Sequence, residues 1–275
     1  MKTPWLLLLA LYAALSPAHA EVPLRLEGHF TQGGLVIGHT RPQARVWMDG
    51  QRVMVAPDGS FLLGFTRDAK PEARLEIRLP DGERRVERIR VKQRRYRVQR
   101  IDGLPQRKVT PRSREDLARI RSDRAKVARA RKRADPRTDF LGGFTWPVTG
   151  PISGVYGSQR ILNGKPRRPH MGVDIARPSG TPVRAPADGV VTLAEPDMFF
   201  SGGTLFIDHG LGLSTSYLHL SRILVKVGDH VTRGQVVARI GSTGRATGPH
   251  LHWGMNLFGK RLDPQLVAGP MPGRH

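Results

Sequence analysis

Gly248-Pro249-His250-Leu251-His252-Trp253-Gly254 is the stretch on which the reading of this chain turns. In a β-strand, residues i and i+2 face the same side about 6–7 Å apart, so His250 and His252 share one face. Two imidazoles so placed can bind one metal ion, or one can bind it while the other handles a proton. A His-x-His pair alone is common by chance. Its meaning depends on what the rest of the chain sets beside it.

Outward from that stretch, six of the ten histidines fall between His170 and His252. His170-Met171-Gly172-Val173-Asp174 offers a nitrogen and an oxygen donor before or on a neighbouring strand, and Ser216-Tyr217-Leu218-His219-Leu220-Ser221 offers a further imidazole. Two histidines and a carboxylate, with a fourth position left for water, form a recognised catalytic zinc arrangement. The same donors suit non-haem iron, and spacing does not choose between the two. The chain has no cysteine. That excludes disulfides, thiolate metal sites, iron–sulfur clusters and a cysteine nucleophile, so any zinc must sit on histidine and carboxylate. The run from Gly241 to Gly248 lacks the Gly-Lys-Ser/Thr ending of a phosphate loop, and no paired-carboxylate framework points to sugar hydrolysis.

An ordered series of motifs spans residues 140–266: Trp146-Pro147 with Gly150, Val155-Tyr156-Gly157, His170-x-Gly-x-Asp174, the run from Gly180 to Gly189, Ile207-Asp208-His209-Gly210, Tyr217-Leu218-His219-Leu220-Ser221, Val227 to Gln235, and Gly241-Ser242-Thr243-Gly244 leading into Gly248 to Trp253. The series resembles the lysostaphin-type (LytM-like) zinc metallopeptidases, which hydrolyse peptide bonds in peptidoglycan. That resemblance implies one zinc ion per chain held by His170, Asp174 and His252, with His219 and His250 as the unligated catalytic pair. It implies a zinc-dependent endopeptidase acting on the peptide cross-links of peptidoglycan. The alternative is a non-enzymatic, peptidoglycan-binding activator or regulator of a wall amidase, and the intact set of five residues argues against it. One departure is visible: Gly203 stands where the family usually carries Asn, a change that bears on a turn or groove and not on the metal. Tyr217 is a candidate for orientation or oxyanion support, or else packs beside its strand. His209 reads as structural and His230 as a solvated turn residue.

The remaining sequence is mostly about placement. Residues 24–98 alternate in strand-like segments such as Ala44–Met48, Ser60–Phe65 and Arg74–Leu79, punctuated by Asp49-Gly50, Asp58-Gly59 and Asp81-Gly82 turns. His29 and His39 lie there among glycines, without ligand spacing. The formal charge of +22 is uneven: residues 84–137 carry 22 basic and 6 acidic side chains, net +16, whereas residues 1–83 are neutral overall. Within that stripe a helix is expected from Ser113, which stands at capping-box spacing from Asp116, to Pro136. The stripe reads as a partly solvated connector with affinity for an anionic wall or membrane surface. Nucleic acid is not expected, because stacking aromatics are too sparse. The first twenty residues, with Lys2, an apolar run from Trp5 to Leu15 and Ala18-His19-Ala20, read as a signal peptide. Export, most simply to a periplasm, is therefore expected.

The expected fold is mostly β. Residues 1–20 form the signal peptide, 21–100 a small β-sandwich-like domain and 101–139 a basic linker with a helix. Residues 140–275 form an antiparallel β-sheet metallopeptidase domain with a groove.

Overall fold

The computed structural model describes residues 23–273; the expected signal peptide lies outside them. Seven strands come first: β1 (Arg25–Gly28), β2 (Leu35–His39), β3 (Arg45–Met48), β4 (Gln51–Val53), β5 (Ser60–Gly64), β6 (Glu72–Arg78) and β7 (Arg84–Arg90). They pair into two sheets, ordered β1-β2-β5 and β4-β3-β6-β7. Val36, Phe61 and Leu63 from one sheet meet Val46, Leu75 and Ile77 from the other in one buried cluster. This is the sandwich expected from the alternation. Asp49 and Gly50 have φ of 50° and 77° and join Met48 to its partner Gln51, so the Asp-Gly pair forms a two-residue hairpin turn.

The basic connector contains β8 (Val98–Ile101), a short α1 (Gln106–Val109) and α2 (Arg114–Ala130). Ser113 caps α2 by accepting a hydrogen bond from the Asp116 amide at 3.1 Å, as its spacing foretold. The helix stops at Ala130, not at Pro136. Beyond that point the guanidinium of Arg131 lies 4.8 Å over the Phe206 ring, and Arg133 and Arg137 both bond Asp135. Those contacts bend the chain back toward the sheet. Val127 and Ala130 seat the helix against Leu193, Met198 and Phe206, so the connector lies along the second module instead of hanging free.

That second module holds β9 (Ile152–Gly154), β10 (Gln159–Leu162), β11 (Lys165–Pro166), β12 (Val173–Ala176), β13 (Pro182–Arg184) and β14 (Gly189–Met198). After them come β15 (Gly202–Asp208), β16 (Leu213–Ile223), β17 (His230–Val231), β18 (Val236–Ile240), β19 (His250–Leu257), β20 (Lys260–Leu262) and α3 (Pro264–Ala268). Ten of these strands make one sheet, with the path β17-β14-β15-β16-β19-β12-β9 and β13, β18 and β20 attached beside it. Every pairing in it is antiparallel. Val173, Ile175, Leu205, Ile207, Leu251 and Trp253 fill its core. Strand β10 belongs to a smaller sheet, where it pairs in parallel with β8 from the connector.

The two modules are joined by packing as well as by chain. Leu35, Ala56 and Leu62 of the first module share a buried cluster with Phe140, Leu213, Met255 and Leu257 of the second. Beside that cluster Arg94 donates to the buried carboxylate of Asp263 at 2.8 Å, and the Asp263 amide donates to the Gly33 carbonyl at 2.8 Å.

Candidate metal centre

Strand pairing places the first two donors. Asp174 on β12 stands directly opposite His252 on β19, and the adjacent residues Val173, Leu251 and Trp253 are fully buried on the core side. Period-2 alternation therefore turns the carboxylate and the imidazole to the other face together. His170 precedes β12 and is pinned by its own backbone: its amide donates to Ser158 O at 2.8 Å, and its carbonyl accepts from Gly157 at 2.7 Å.

The three side chains converge closely. His170 Nε2 lies 2.9 Å from His252 Nδ1 and 2.9 Å from Asp174 Oδ1, and His252 Nδ1 lies 2.8 Å from that same oxygen. His170 Nδ1, 3.1 Å from the Val155 carbonyl, is placed to donate to it, which leaves Nε2 with a lone pair aimed inward. Burial alone would raise the Asp174 carboxyl, yet the close imidazoles of His170 and His252 hold it well below the ordinary carboxylate range. Burial pushes His252 down to about 4, against the pull of Asp174. Two imidazole nitrogens and an ionised oxygen crowded around one point form a donor set that a cation would satisfy, and its N and O composition suits zinc. No room is left beside it for larger residues. A Cβ on Gly154 would lie 2.4 Å from Asp174 Oδ2, and one on Gly172 would lie 2.7 Å from the His252 ring.

Two more imidazoles face this cluster. The His219 ring centroid is 4.8 Å from that of His250 and 6.4 Å from that of His252. His250 Nε2 lies 4.0 Å from Asp174 Oδ1. Each Nδ1 contacts a backbone carbonyl, Thr243 for His219 and Gly248 for His250, both at 2.8 Å. Donation there leaves each Nε2 free to accept a proton. Burial, with His250 and His252 nearby, lowers His219 to about 3 and keeps it neutral. A cavity of about 160 Å³ opens here, with Gln99, Ile101 and Leu104 of the connector facing Asp174, His219 and His250.

The family model described as "Peptidase family M23" matches residues 168–264. A solved chain from Pseudomonas aeruginosa assigned to peptidase M23 is 34% identical, covers 87% of this chain and 95% of its own length, and superposes with a TM-score of 0.67. The chain belongs to peptidase family M23. Over 103 residues it is 45% identical to peptidoglycan DD-endopeptidase ShyA of Vibrio cholerae serotype O1, a match covering 38% of this chain and 24% of that protein. Over 105 residues it is 45% identical to DD-carboxypeptidase/endopeptidase Mpg of Neisseria meningitidis serogroup B, again 38% of this chain and 24% of that one. This M23 chain thus spans about a quarter of the length of those curated relatives.

All five residues picked from the M23-like motifs meet at one place, while the other histidines among the described residues lie elsewhere. His209 is fully buried between the Asp188 carbonyl at 2.6 Å and Thr215 Oγ1 at 2.8 Å, a structural setting. His230 and His29 are exposed, and His39 bonds Ser60 Oγ in the sandwich. Tyr217 is not at the site: it is fully buried in the sheet core, with its hydroxyl 2.7 Å from Thr215 Oγ1. A register shift on the β15–β16 ladder and a φ of 65° at His219 break the alternation between them, so His219 turns to the groove while Tyr217 stays in the core. Gly203 is confined as well, because a Cβ there would lie 2.3 Å from the Leu220 carbonyl oxygen. Sequence reasoning missed Arg160, whose Nη2 donates to Asp174 Oδ2 at 2.7 Å. Its place shortly after Val155-Tyr156-Gly157 carried no chemical signal.

Proposed function

We propose that this chain is a zinc-dependent endopeptidase that hydrolyses peptide cross-links of bacterial peptidoglycan. The observation that carries the reading is the convergence of three ligand atoms beside two further imidazoles that keep their Nε2 atoms open toward one cavity. His170, Asp174 and His252 would hold the zinc. When bound, the metal polarises the scissile carbonyl and acidifies the attacking water. Arg160 keeps the second oxygen of Asp174 occupied, which fixes the carboxylate's rotation. His219 and His250, fixed by the Thr243 and Gly248 carbonyls, work as a pair. One neutral Nε2 accepts the proton of the attacking water and passes that proton to the departing amine, while the other imidazole, when it carries a proton on Nε2, hydrogen-bonds the developing oxyanion.

The apolar segment at residues 1–20 supports an exported, periplasmic enzyme, and no described helix is long and apolar enough to cross a membrane. In the basic stripe, Arg119 and Lys126 are bonded to Asp197 and Glu195. Arg112, Arg114, Arg121, Arg124 and Lys132 stay exposed, with no carboxylate partner among the described residues. That face would serve as a contact for an anionic wall or membrane surface. Mass spectrometry of peptidoglycan digested by the mature chain tests the enzymatic reading. New amino termini at cross-links are expected, and intact cross-links in the presence of zinc would overturn it.

A further inference from the structure

Beside the candidate metal centre the groove holds a positive charge, that of Arg245, which the proposed chemistry does not use. Arg245 and Arg160 line the same cavity, and Asp174 is the one carboxylate among its lining residues. That carboxylate is already engaged by Arg160, His170 and His252. Arg245 is held in place by neutral groups only: its amide donates to Phe200 O at 2.8 Å, and its guanidinium lies 4.8 Å over the Phe200 ring. Nη1 makes a long bond of 3.3 Å to the Lys108 carbonyl. Two further polar atoms at this cavity, Arg160 Nε and Gln99 Oε1, are buried with no hydrogen-bond partner. Burial lowers the Arg245 pKa, and the Arg160 and Arg167 guanidiniums add to that pressure.

A half-buried guanidinium without a counter-ion, next to an unsatisfied donor, is a mismatch that an arriving anion would relieve. The planar fork of arginine suits a carboxylate in particular, because it can donate two parallel N–H bonds to it. We propose that Arg245, supported by Arg160, forms a subsite for a free carboxylate of the peptide substrate, next to the groups that cut the bond. The inference rests on the peptidase reading given above and adds a substrate requirement to it. Arg245 touches the substrate but not the scissile bond, so it sets affinity and register. Two carboxylates of a stem peptide could fill the subsite, the terminal α-carboxylate or the side-chain carboxylate of a diamino-acid residue.

The test uses the full mature chain and three synthetic cross-linked peptides: one with both carboxylates free, one amidated at the terminal carboxylate, and one amidated at the side-chain carboxylate. Kinetics and calorimetric binding are measured for wild type, Arg245→Gln and Arg245→Lys, with circular dichroism melting as the check on folding. For wild type, amidation of one of the two positions should raise KM at least about tenfold and leave kcat unchanged. The position that responds identifies the source. Arg245→Gln should show the raised KM with the free peptide and no further loss with the amide, while Arg245→Lys recovers part of the affinity. Indifference to both amidations, or losses that simply add, would overturn the subsite. If wild type cleaves none of the three peptides, the peptidase reading fails separately, and the same comparison in Kd still decides the subsite.

Discussion

Asp174 and His252 stand opposite each other across the β12–β19 ladder, with carboxylate oxygen and imidazole nitrogen 2.8 Å apart. Backbone register alone brings them there, so the contact persists when either side chain is changed to one of similar shape. Asp174→Asn keeps the shape and removes the charge. We expect it to weaken zinc binding by more than the roughly 10–100-fold lost when a residue that merely orients a ligand is changed. Competition against a chromophoric chelator measures this, and wild-type affinity in the variant would remove Asp174 from the ligand set.

His219→Ala should separate catalysis from metal binding. We expect kcat to fall about 10²–10⁴-fold with metal content equal to that of wild type. Loss of metal in this variant would make His219 a ligand and defeat its assignment as a proton-transfer group.

The buried His209 has its pKa lowered to about 4, chiefly by burial. Below about pH 6.5 the unfolded chain takes up a proton there that the folded chain refuses. Stability should therefore drop as pH falls from about 6.5 toward 4, by about 3 kcal/mol from this group. Urea unfolding at pH 7 and pH 4 should show a smaller acid loss in His209→Asn than in wild type. Equal losses would exclude His209 as the source.

Gly203→Asn restores the residue usual in the family and should still destabilise this chain. The added Cβ would sit 2.3 Å from a backbone oxygen of Leu220, which cannot yield without parting the β15–β16 ladder. We expect a cost of about 1–3 kcal/mol, read from denaturant midpoints. An unchanged midpoint would show that the ladder adapts.

Binding of the chain to vesicles of anionic phospholipid should decline as salt rises from about 0.05 to 0.5 M. A double variant, Arg121→Glu with Arg124→Glu, should bind poorly even at low salt. Salt-insensitive sedimentation would rule out an electrostatic role for the outer face of α2.

Much of this was legible in the sequence because local rules and ordered motifs agreed. Asp-Gly pairs marked hairpins, the His-Leu-His stretch took the strand geometry its spacing implied, and Ser113 marked a helix start. Tyr217 had two readings because strand alternation puts it on the same face as His219; the backbone break at His219 parts them, and packing beside the strand is the reading that holds. The end of α2 was misplaced because tertiary contacts of Arg131 and Asp135, invisible to periodicity, decide where the helix stops. Arg160 escaped for a related reason. Its contact with Asp174 depends on how β10 is set beside the main sheet.

The cluster shared by Leu35, Leu62, Met255 and Leu257 bears on how the enzyme can be cut down for use. A fragment begun at residue 140, the expected start of the metallopeptidase domain, would carry a bare oily patch once covered by the sandwich. Such a fragment should clump on expression unless those side chains are replaced by polar ones. For anyone trimming this chain to its smallest working form, the practical unit includes the sandwich.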